Sequence, residues 1–333
     1  MLAVVLVGGF GTRLRPLTND IPKPMLPVVH RPMIVRLVES LAAGGVTEVV
    51  LALGFKPEPF ERAFPGGHVA GLPDVHVHYA VEPQPLDTGG AIAFAARFVG
   101  ADDTFVVANG DVITDLDVGR LVAEHRRIGS DATIHLTPVA DPSAFGVVET
   151  EGDIVRRFVE KPAPGTTESN LINAGTYVFE PSVLDLIRAG ERLSIERVTF
   201  PALVAAGRLA AVPTDDYWLD TGRPEDYLQA NLDLVTGVRG PALDGVATGA
   251  QVDPGARVHD SVVDVGVTVC DGALVTRSVL LPGAVVGVGA EVSDSIVAGA
   301  VGSGARLERC VVGAGHSVGD GAVARDERLP SAE

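Results

Sequence analysis

Cysteine is nearly absent: Cys270 and Cys310 are the only two in 333 residues. Neither belongs to a short metal-binding pair, and two thiols do not make a disulfide scaffold. Basic residues are also scarce, 26 Lys plus Arg against 43 Asp plus Glu, giving a net charge of -17. Such a field repels nucleic acid, so no nucleic-acid partner is expected, and the few clustered cations point to a small anionic ligand. Most of the acidic side chains read as ordinary solvated surface. The apolar start MLAVVLVGG is too short to cross a bilayer, and it lacks a basic leader and a cleavage-like region. With no longer apolar run downstream, cytoplasmic residence and no membrane partner are expected. Aromatics make up 5%, with a single tryptophan, Trp218, read as a packing residue. None of the 8 histidines has a convincing catalytic partner; His259 and His316 fall in the repeats described below.

What the chain has is glycine (39), proline (23) and a 46% hydrophobic content, enough for two cores. Residues 1–236 alternate apolar runs with amphipathic stretches. Strands are expected at Leu2–Val7, Val46–Leu53, Val75–Tyr79 and Thr104–Ala108, with helices at Met33–Ala43, Thr88–Phe98 and Asp117–Ile128. That alternation implies a mostly parallel sheet covered by helices, with ligands gathering beyond the strand C-termini, where Gly8 and Asp111 emerge. From Asp131 the order is less regular. Strands are expected at Ala132–Thr137, Ile154–Val159 and Ile172–Phe179, and helices at Arg197–Ala206 and Pro224–Val235.

The texture changes at residue 237. Ser261-Val262-Val263, Ser278-Val279-Leu280 and Ser295-Ile296-Val297 recur every 17 residues, and Cys310-Val311-Val312 arrives two residues early. Apolar residues return about every six positions, with Gly-Ala pairs between them. Residues 237–333 therefore read as a solenoid, in which each short strand buries Val or Ile inward and glycine turns the corners. Cys270 and Cys310 are expected to pack there, and Ala324–Glu333 is read as a cap or a tail.

Directly after the first strand comes Gly8-Gly9-Phe10-Gly11-Thr12-Arg13-Leu14-Arg15-Pro16-Leu17-Thr18. Closely spaced glycines let backbone N–H groups approach phosphate oxygens, and Arg13 adds a planar set of donors. The Walker ending is missing, and so is the third glycine of the dinucleotide fingerprint, where Leu14 stands. Pro22-Lys23-Pro24-Met25-Leu26-Pro27 follows, with prolines limiting the entropy that Lys23 loses on engaging phosphate. Arg15 is read equally as a phosphate contact or a packing residue.

These two motifs together resemble the signature of the nucleoside-diphosphate-sugar pyrophosphorylases, particularly the branch that guanylylates mannose 1-phosphate. The resemblance runs through nearly the whole chain. It implies an α/β, Rossmann-like nucleotidyltransferase domain with a mostly parallel mixed sheet, followed by a left-handed β-helix of hexapeptide repeats. Gly8, Gly9, Gly11, Thr12, Arg13 and Lys23 would then bind nucleotide, and Asp111 and Asp220 would hold Mg²⁺, which favours oxygen ligands. Glu82 and Gly89 fall in the implied base-recognition region. A carboxylate at position 82 suits guanine N1–H and its exocyclic amine, whereas an amide would suit uracil or thymine. Asn109, Gly146, Glu160, Lys161, Asn173 and Gly175 fall on the implied sugar-phosphate side. Read by themselves, Glu160 and Lys161 fit an exposed ion pair at a strand end.

The expected reaction is in-line attack of a sugar-1-phosphate oxygen on the α-phosphorus of a nucleoside triphosphate. GTP and mannose 1-phosphate are the expected substrates, Mg²⁺ the cofactor, and Arg13, Lys23, Asp111 and Asp220 the catalytic groups. Transfer of uridylyl, thymidylyl or adenylyl groups to glucose 1-phosphate stays open. So do a heptose 1-phosphate substrate and a non-catalytic nucleotide-sugar sensor. The β-helix is expected to support a homo-oligomer, since a rigid coil face can bury a neighbouring subunit.

Overall fold

Continuous runs of small and β-branched apolar residues suit strands covered on both faces, and the computed structural model uses them so. Strand β1 (Leu2–Leu6) pairs in parallel with β2 (Glu48–Leu53) on one side and with Phe105–Asn109 on the other. The model describes residues 1–9, 11–54, 57–163, 165–238 and 240–330. They fall into two compact units, Met1–Gly8 with Ile34–Trp218, and Gly9–Met33 with Leu219–Glu333.

The first unit is built on a 10-stranded sheet. Beyond β1 and β2 its strands are β3 (His68–Val69), β4 (Leu72–Val81), β5 (Phe105–Asn109), β6 (Ala132–Pro138), β7 (Gly146–Glu151), β8 (Ile154–Glu160), β9 (Leu171–Phe179) and β10 (Leu209–Pro213). They are ordered β7-β8-β10-β6-β9-β5-β1-β2-β4-β3. The centre β5-β1-β2-β4 is parallel, while β9 runs antiparallel to both β5 and β6. Helices α1 (Met33–Ala43), α2 (Glu58–Ala63), α3 (Asp87–Phe98), α4 (Val118–Ile128) and α5 (Phe200–Ala205) accompany the sheet. Helix α4 shows why such segments stop and start where they do. Asp117 accepts the Arg120 N–H at its N-terminus, and Gly129 closes it with a φ of 71°.

The structure departs from the sequence expectation: strands β3 and β10 and helix α2 were not expected, and two further elements differ. The helix expected at Arg197–Ala206 opens as a π-turn, Ile195–Thr199, before α5, because Ser194 caps it early by accepting the Arg197 N–H. The strand β7, absent from the sequence reading, forms a hairpin with β8 around Gly152, whose φ is 58°.

In the second unit three sheets of five parallel strands each stack into a β-helix. Strand Val262–Val263 pairs with Val279–Leu280, that with Ile296–Val297, and that with Val311–Val312, the register expected from the repeats. Inside lie Val263, Val269, Val275, Leu280, Val286, Val292, Val297, Leu307 and Val312, all buried. This parallel arrangement is consistent with a left-handed β-helix. A buried ladder joins the coils: Ser261 Oγ accepts the Ser278 N–H at 3.0 Å and donates to His259 O at 2.7 Å. Ser278, Ser295 and Cys310 continue it, with Cys310 N–H donating to Ser295 Oγ at 2.9 Å. Cys310 is buried and Cys270 partly so.

Glycine turns some corners, as expected, but one row of corners uses charged residues instead. Asp260, Arg277, Asp294, Arg309 and Asp326 all take positive φ, between 45° and 55°. Successive corners carry opposite charge and interact, Arg277 Nε with Asp294 at 2.9 Å and Arg309 Nε with Asp326 at 2.6 Å. Ion pairs replace some of the stability that a left-handed backbone costs a residue with a Cβ. Strands Val323–Arg325 and Arg328–Leu329 finish the last coil, so the closing segment is a cap as far as Pro330. Residues 331–333 lie outside the described residues. Among the described residues no helix is long and apolar enough to cross a membrane.

Candidate active site

The second unit holds the two cationic loops. After Gly9, whose φ is 149°, and Phe10, which lies outside the described residues, Gly11 caps the short turn Thr12–Leu14 with a left-handed φ of 57°. A Cβ on Gly11 would stand 3.1 Å from Thr18 Cγ2 and 3.4 Å from Lys23 Cβ, so both backbone angle and space call for glycine. Thr18 Oγ1 donates to Gly11 O at 2.7 Å, and Leu14 and Leu17 are buried, which pins the loop while Thr12, Arg13 and Arg15 face solvent. The Arg13 guanidinium lies against Gly222, where a Cβ would fall 2.7 Å from Nη2.

Lys23 opens the next turn, Lys23–Met25, behind Pro22. Its side chain is 8% exposed, yet its ammonium lies 3.3 Å from Asp220 Oδ1. The strand Trp218–Asp220 delivers that carboxylate, and Thr221 behind it is fully buried, its hydroxyl 3.1 Å from Met33 Sδ. The lysine loop is tied down further along, where Val29 N–H donates to Asn231 Oδ1 at 2.9 Å and Tyr227 Oη donates to Pro27 O. Both anchors come from helix α6 (Pro224–Thr236). Arg13, Lys23 and Asp220 are thus drawn together from three separate segments. Sequence reading named all three but gave no sign that Lys23 and Asp220 touch.

In the first unit Asn109 ends β5, directly opposite Leu6 of β1. Gly110 N–H donates to Leu6 O at 2.9 Å, and a Cβ there would stand 2.8 Å from Val7 Cγ1. Only glycine lets the two strand exits close up, and the result places half-buried Asp111 beside the β1 exit that leads to Gly8. Asn109 also lies against Gly175, whose φ is 80° and whose missing side chain leaves the room that the Asn109 amide fills. Asn173 fixes that corner from inside, accepting Gly175 N–H and donating to Tyr177 Oη, each at 3.0 Å. Trp218 Nε1–H donates to Ala174 O at 2.8 Å, and its ring meets Phe145 edge-on at 5.6 Å. The expected packing residue therefore organises both the 173–175 corner and the start of β7.

Gly146 pairs with Glu160 across β7 and β8; a Cβ would stand 2.6 Å from Phe158 Cζ and 3.0 Å from Glu160 Oε2. Lys161 follows with a φ of 50° and its ammonium 3.7 Å from Glu160 Oε1, the strand-end ion pair. Burial pushes the Glu160 carboxyl upward, Lys161 draws it back and neighbouring Glu196 raises it again. Glu196 is a residue that sequence reading missed. It accepts hydrogen bonds from Thr88 Oγ1 at 2.7 Å and Ser194 Oγ at 2.6 Å, joining the start of α3 to the π-turn.

Glu82 is buried, 8% exposed, and its Oε2 accepts the Leu86 N–H at 2.8 Å. Burial raises its carboxyl above the ordinary range, and the Leu86 bond opposes that. Gly89, expected in the base-recognition region, is held by packing against residue 193. Its N–H donates to Leu193 O at 2.8 Å, and a Cβ would stand 3.0 Å from that oxygen. The glycine is needed for packing α3 on residues 193–195. Among the described residues no group of three or more His, Cys, Asp or Glu side chains is arranged to hold a metal.

An α/β sheet with a Gly/Arg loop at its first strand exit and a repeat-built β-helix defines a class of phosphate-handling transferases. The chain belongs to the nucleotidyl transferase family, whose model matches residues 2–237. A second model, GlmU-like C-terminal hexapeptide, matches residues 234–301. The mannose-1-phosphate guanylyltransferase of Mycobacterium tuberculosis is 42% identical over 96% of this chain and 82% of its own. A probable mannose-1-phosphate guanylyltransferase 1 of Oryza sativa subsp. japonica is 38% identical over 94% of this chain and 90% of its own. Among solved structures, a putative glucose-1-phosphate thymidylyltransferase from Bacillus anthracis, in complex with a sucrose, matches at 25% identity with a TM-score of 0.63. It covers 73% of this chain and 98% of its own.

Proposed function

We propose that the protein is a mannose-1-phosphate guanylyltransferase, converting GTP and α-D-mannose 1-phosphate to GDP-mannose and pyrophosphate. The observation that carries this reading is 42% identity, across 96% of the chain, with a protein of that name. The buried Lys23, paired with Asp220 at a strand end, and Arg13 beside Gly222 supply chemistry of the right kind.

A sugar-phosphate oxygen is already a nucleophile, so the residues need to orient and neutralise charge rather than form a covalent intermediate. Arg13 receives the β- and γ-phosphates and stabilises the departing pyrophosphate. Lys23, stripped of most of its water and held by prolines, meets the reacting phosphates with little entropy to lose. The backbone of Gly8, Gly9, Gly11 and Thr12 lines the triphosphate. Asp111 and Asp220 are proposed to hold Mg²⁺, for which carboxylate oxygens are fitting donors. The ion, when bound, would supply positive charge to offset the negative charge developing on the reacting phosphates. Glu82 keeps its own loop in shape through Leu86 and, in this reading, also accepts from guanine. Asn109, Gly146, Glu160, Lys161, Asn173 and Gly175 form the sugar-phosphate side. The enzyme is read as cytoplasmic, with the β-helix carrying homo-oligomer contacts.

Asp111→Asn and Asp220→Asn test the metal assignment. Each should lower turnover by about two orders of magnitude or more, and Asp220→Asn should also melt below the parent, because it removes a carboxylate from beside the buried Lys23 ammonium. Near-parental rates in both, with Mg²⁺ as the only divalent ion, would rule out these roles.

A further inference from the structure

The loop that carries Arg13 is held from outside as well as from within, and one outside contact comes from the far end of the chain. Arg328 Nη1 donates to the peptide oxygen of Arg13 at 2.8 Å, although 315 residues separate them. Arg328 sits in the last strand of the β-helix, Arg328–Leu329, paired with Val311–Val312 of the coil before. That earlier coil touches the same loop. Gly313 lies flat on Pro16, and a Cβ there would stand 2.8 Å from Pro16 Cβ. Gly313 N–H in turn donates to Leu329 O at 2.7 Å, tying the two contacts into one surface.

The geometry of the first contact is specific. That carbonyl belongs to the peptide just after the Cα that bears the guanidinium, so the contact restrains ψ of Arg13 and with it the path of the Thr12–Leu14 turn. The loop enters this turn through two glycines at positive φ, Gly9 and Gly11, positions that other residues adopt at a cost. The guanidinium also lies against Gly222. Arg328 is itself solvent-exposed, so its hydrogen bond contributes little to global stability. It does fix the orientation of one peptide on the exposed side of a loop that is pinned from within by Thr18 and Leu14.

We infer that Arg328 is a positioning residue, and that the final coils of the β-helix hold the Thr12–Leu14 turn so that Arg13 meets a polyphosphate. The inference rests on the phosphate role proposed for Arg13, not on the identity of the base or sugar. It gives the β-helix a part in substrate handling that is separate from subunit contacts.

The test uses the full-length protein and Mg²⁺-tripolyphosphate as the binding probe, alongside steady-state assays with GTP and mannose 1-phosphate. Arg328→Ala should weaken tripolyphosphate binding and raise the KM for GTP by about tenfold. The KM for mannose 1-phosphate and the melting temperature should stay near the parent. Arg325→Ala removes another exposed arginine of the same coil, paired with Glu308, and should change none of these. Lysine at position 328 should restore part of the binding. In an Arg13→Ala background, Arg328→Ala should add little, because its effect passes through Arg13. Arg328→Ala behaving like Arg325→Ala, or weakening binding equally without Arg13, overturns the inference. Should the parent make no GDP-mannose while Arg328→Ala still weakens tripolyphosphate binding, the substrate assignment fails and the positioning role stands. A parent that does not bind tripolyphosphate overturns both.

Discussion

The Lys23 ammonium lies 3.3 Å from Asp220 Oδ1, joining positions 197 residues apart in the chain. The lysine side chain is 8% exposed and the aspartate side chain 29%. Removing one partner of such a pair leaves the other charged in a poor solvent, which costs more than the pair itself contributes. In the function proposed above, polyphosphate would give Lys23 a second anion beside Asp220.

Lys23→Met should therefore reduce turnover by about two orders of magnitude or more, with a fall in stability of roughly 1–3 kcal/mol. Lys23→Arg should not rescue turnover, since a planar guanidinium does not fit where a point charge is packed between Pro22 and Pro24. Steady-state kinetics with denaturant unfolding separates the two effects. Parental turnover in Lys23→Arg contradicts this account of the site.

Gly175 carries two constraints at once, a φ of 80° and contact with the Asn109 amide. Gly175→Ala should cost about 1–3 kcal/mol in unfolding free energy. It should also raise the KM for the sugar phosphate more than that for the nucleotide. Equal stability of parent and variant would show that the corner can relax.

Glu82 gives a pH signature. Burial, opposed by the Leu86 bond, holds its carboxyl above the ordinary value in the folded state. A folded-state value above the unfolded one imposes no penalty in acid, where both states are protonated. Ionisation at higher pH then costs the folded state. Glu82→Gln should accordingly gain stability relative to the parent as pH rises through and above the carboxylate range, and lose that advantage in acid. The same variant, assayed with GTP against UTP and dTTP, should lose preference for GTP. Urea unfolding across pH and competition kinetics give the two readouts.

His135 has the opposite sign. It is fully buried, with Nε2 2.8 Å from Thr214 Oγ1, and burial lowers its pKa to about 4 despite the nearby Asp216. Between about 6.5 and 4 the unfolded chain takes up a proton that the folded chain refuses. Stability should fall with decreasing pH in that window, by at most about 1.4 kcal/mol per pH unit from this group. Replacing His135 with Gln should flatten that part of the profile, whatever it does to the overall level.

The sequence was most legible where periodicity or chemistry left a local mark. The β-helix register followed from the spacing of Ser261, Ser278, Ser295 and Cys310, because each coil must return its inward residue to the same place. Helices Met33–Ala43 and Val118–Ile128 were visible for the same reason, as faces and caps. Contacts between distant segments left no such mark. Nothing near Gly89 announces that Leu193 packs on it, and nothing near Arg13 announces Arg328. The charged corners were hidden by a general rule, since glycine is the usual residue at positive φ. Asp294 and Arg309 break that rule where a neighbouring coil supplies a partner. Glu196 was passed over because its partners, Thr88 and Ser194, come from another helix and from its own turn.

Purified protein incubated with Mg²⁺ and each pairing of GTP, ATP, UTP or dTTP with mannose, glucose or heptose 1-phosphate decides the central claim, with product masses and pyrophosphate recorded. The account predicts GDP-mannose and stoichiometric pyrophosphate as the fastest pairing. Faster formation of a uridylyl, thymidylyl or adenylyl sugar, or binding with no pyrophosphate released in any well, would contradict it.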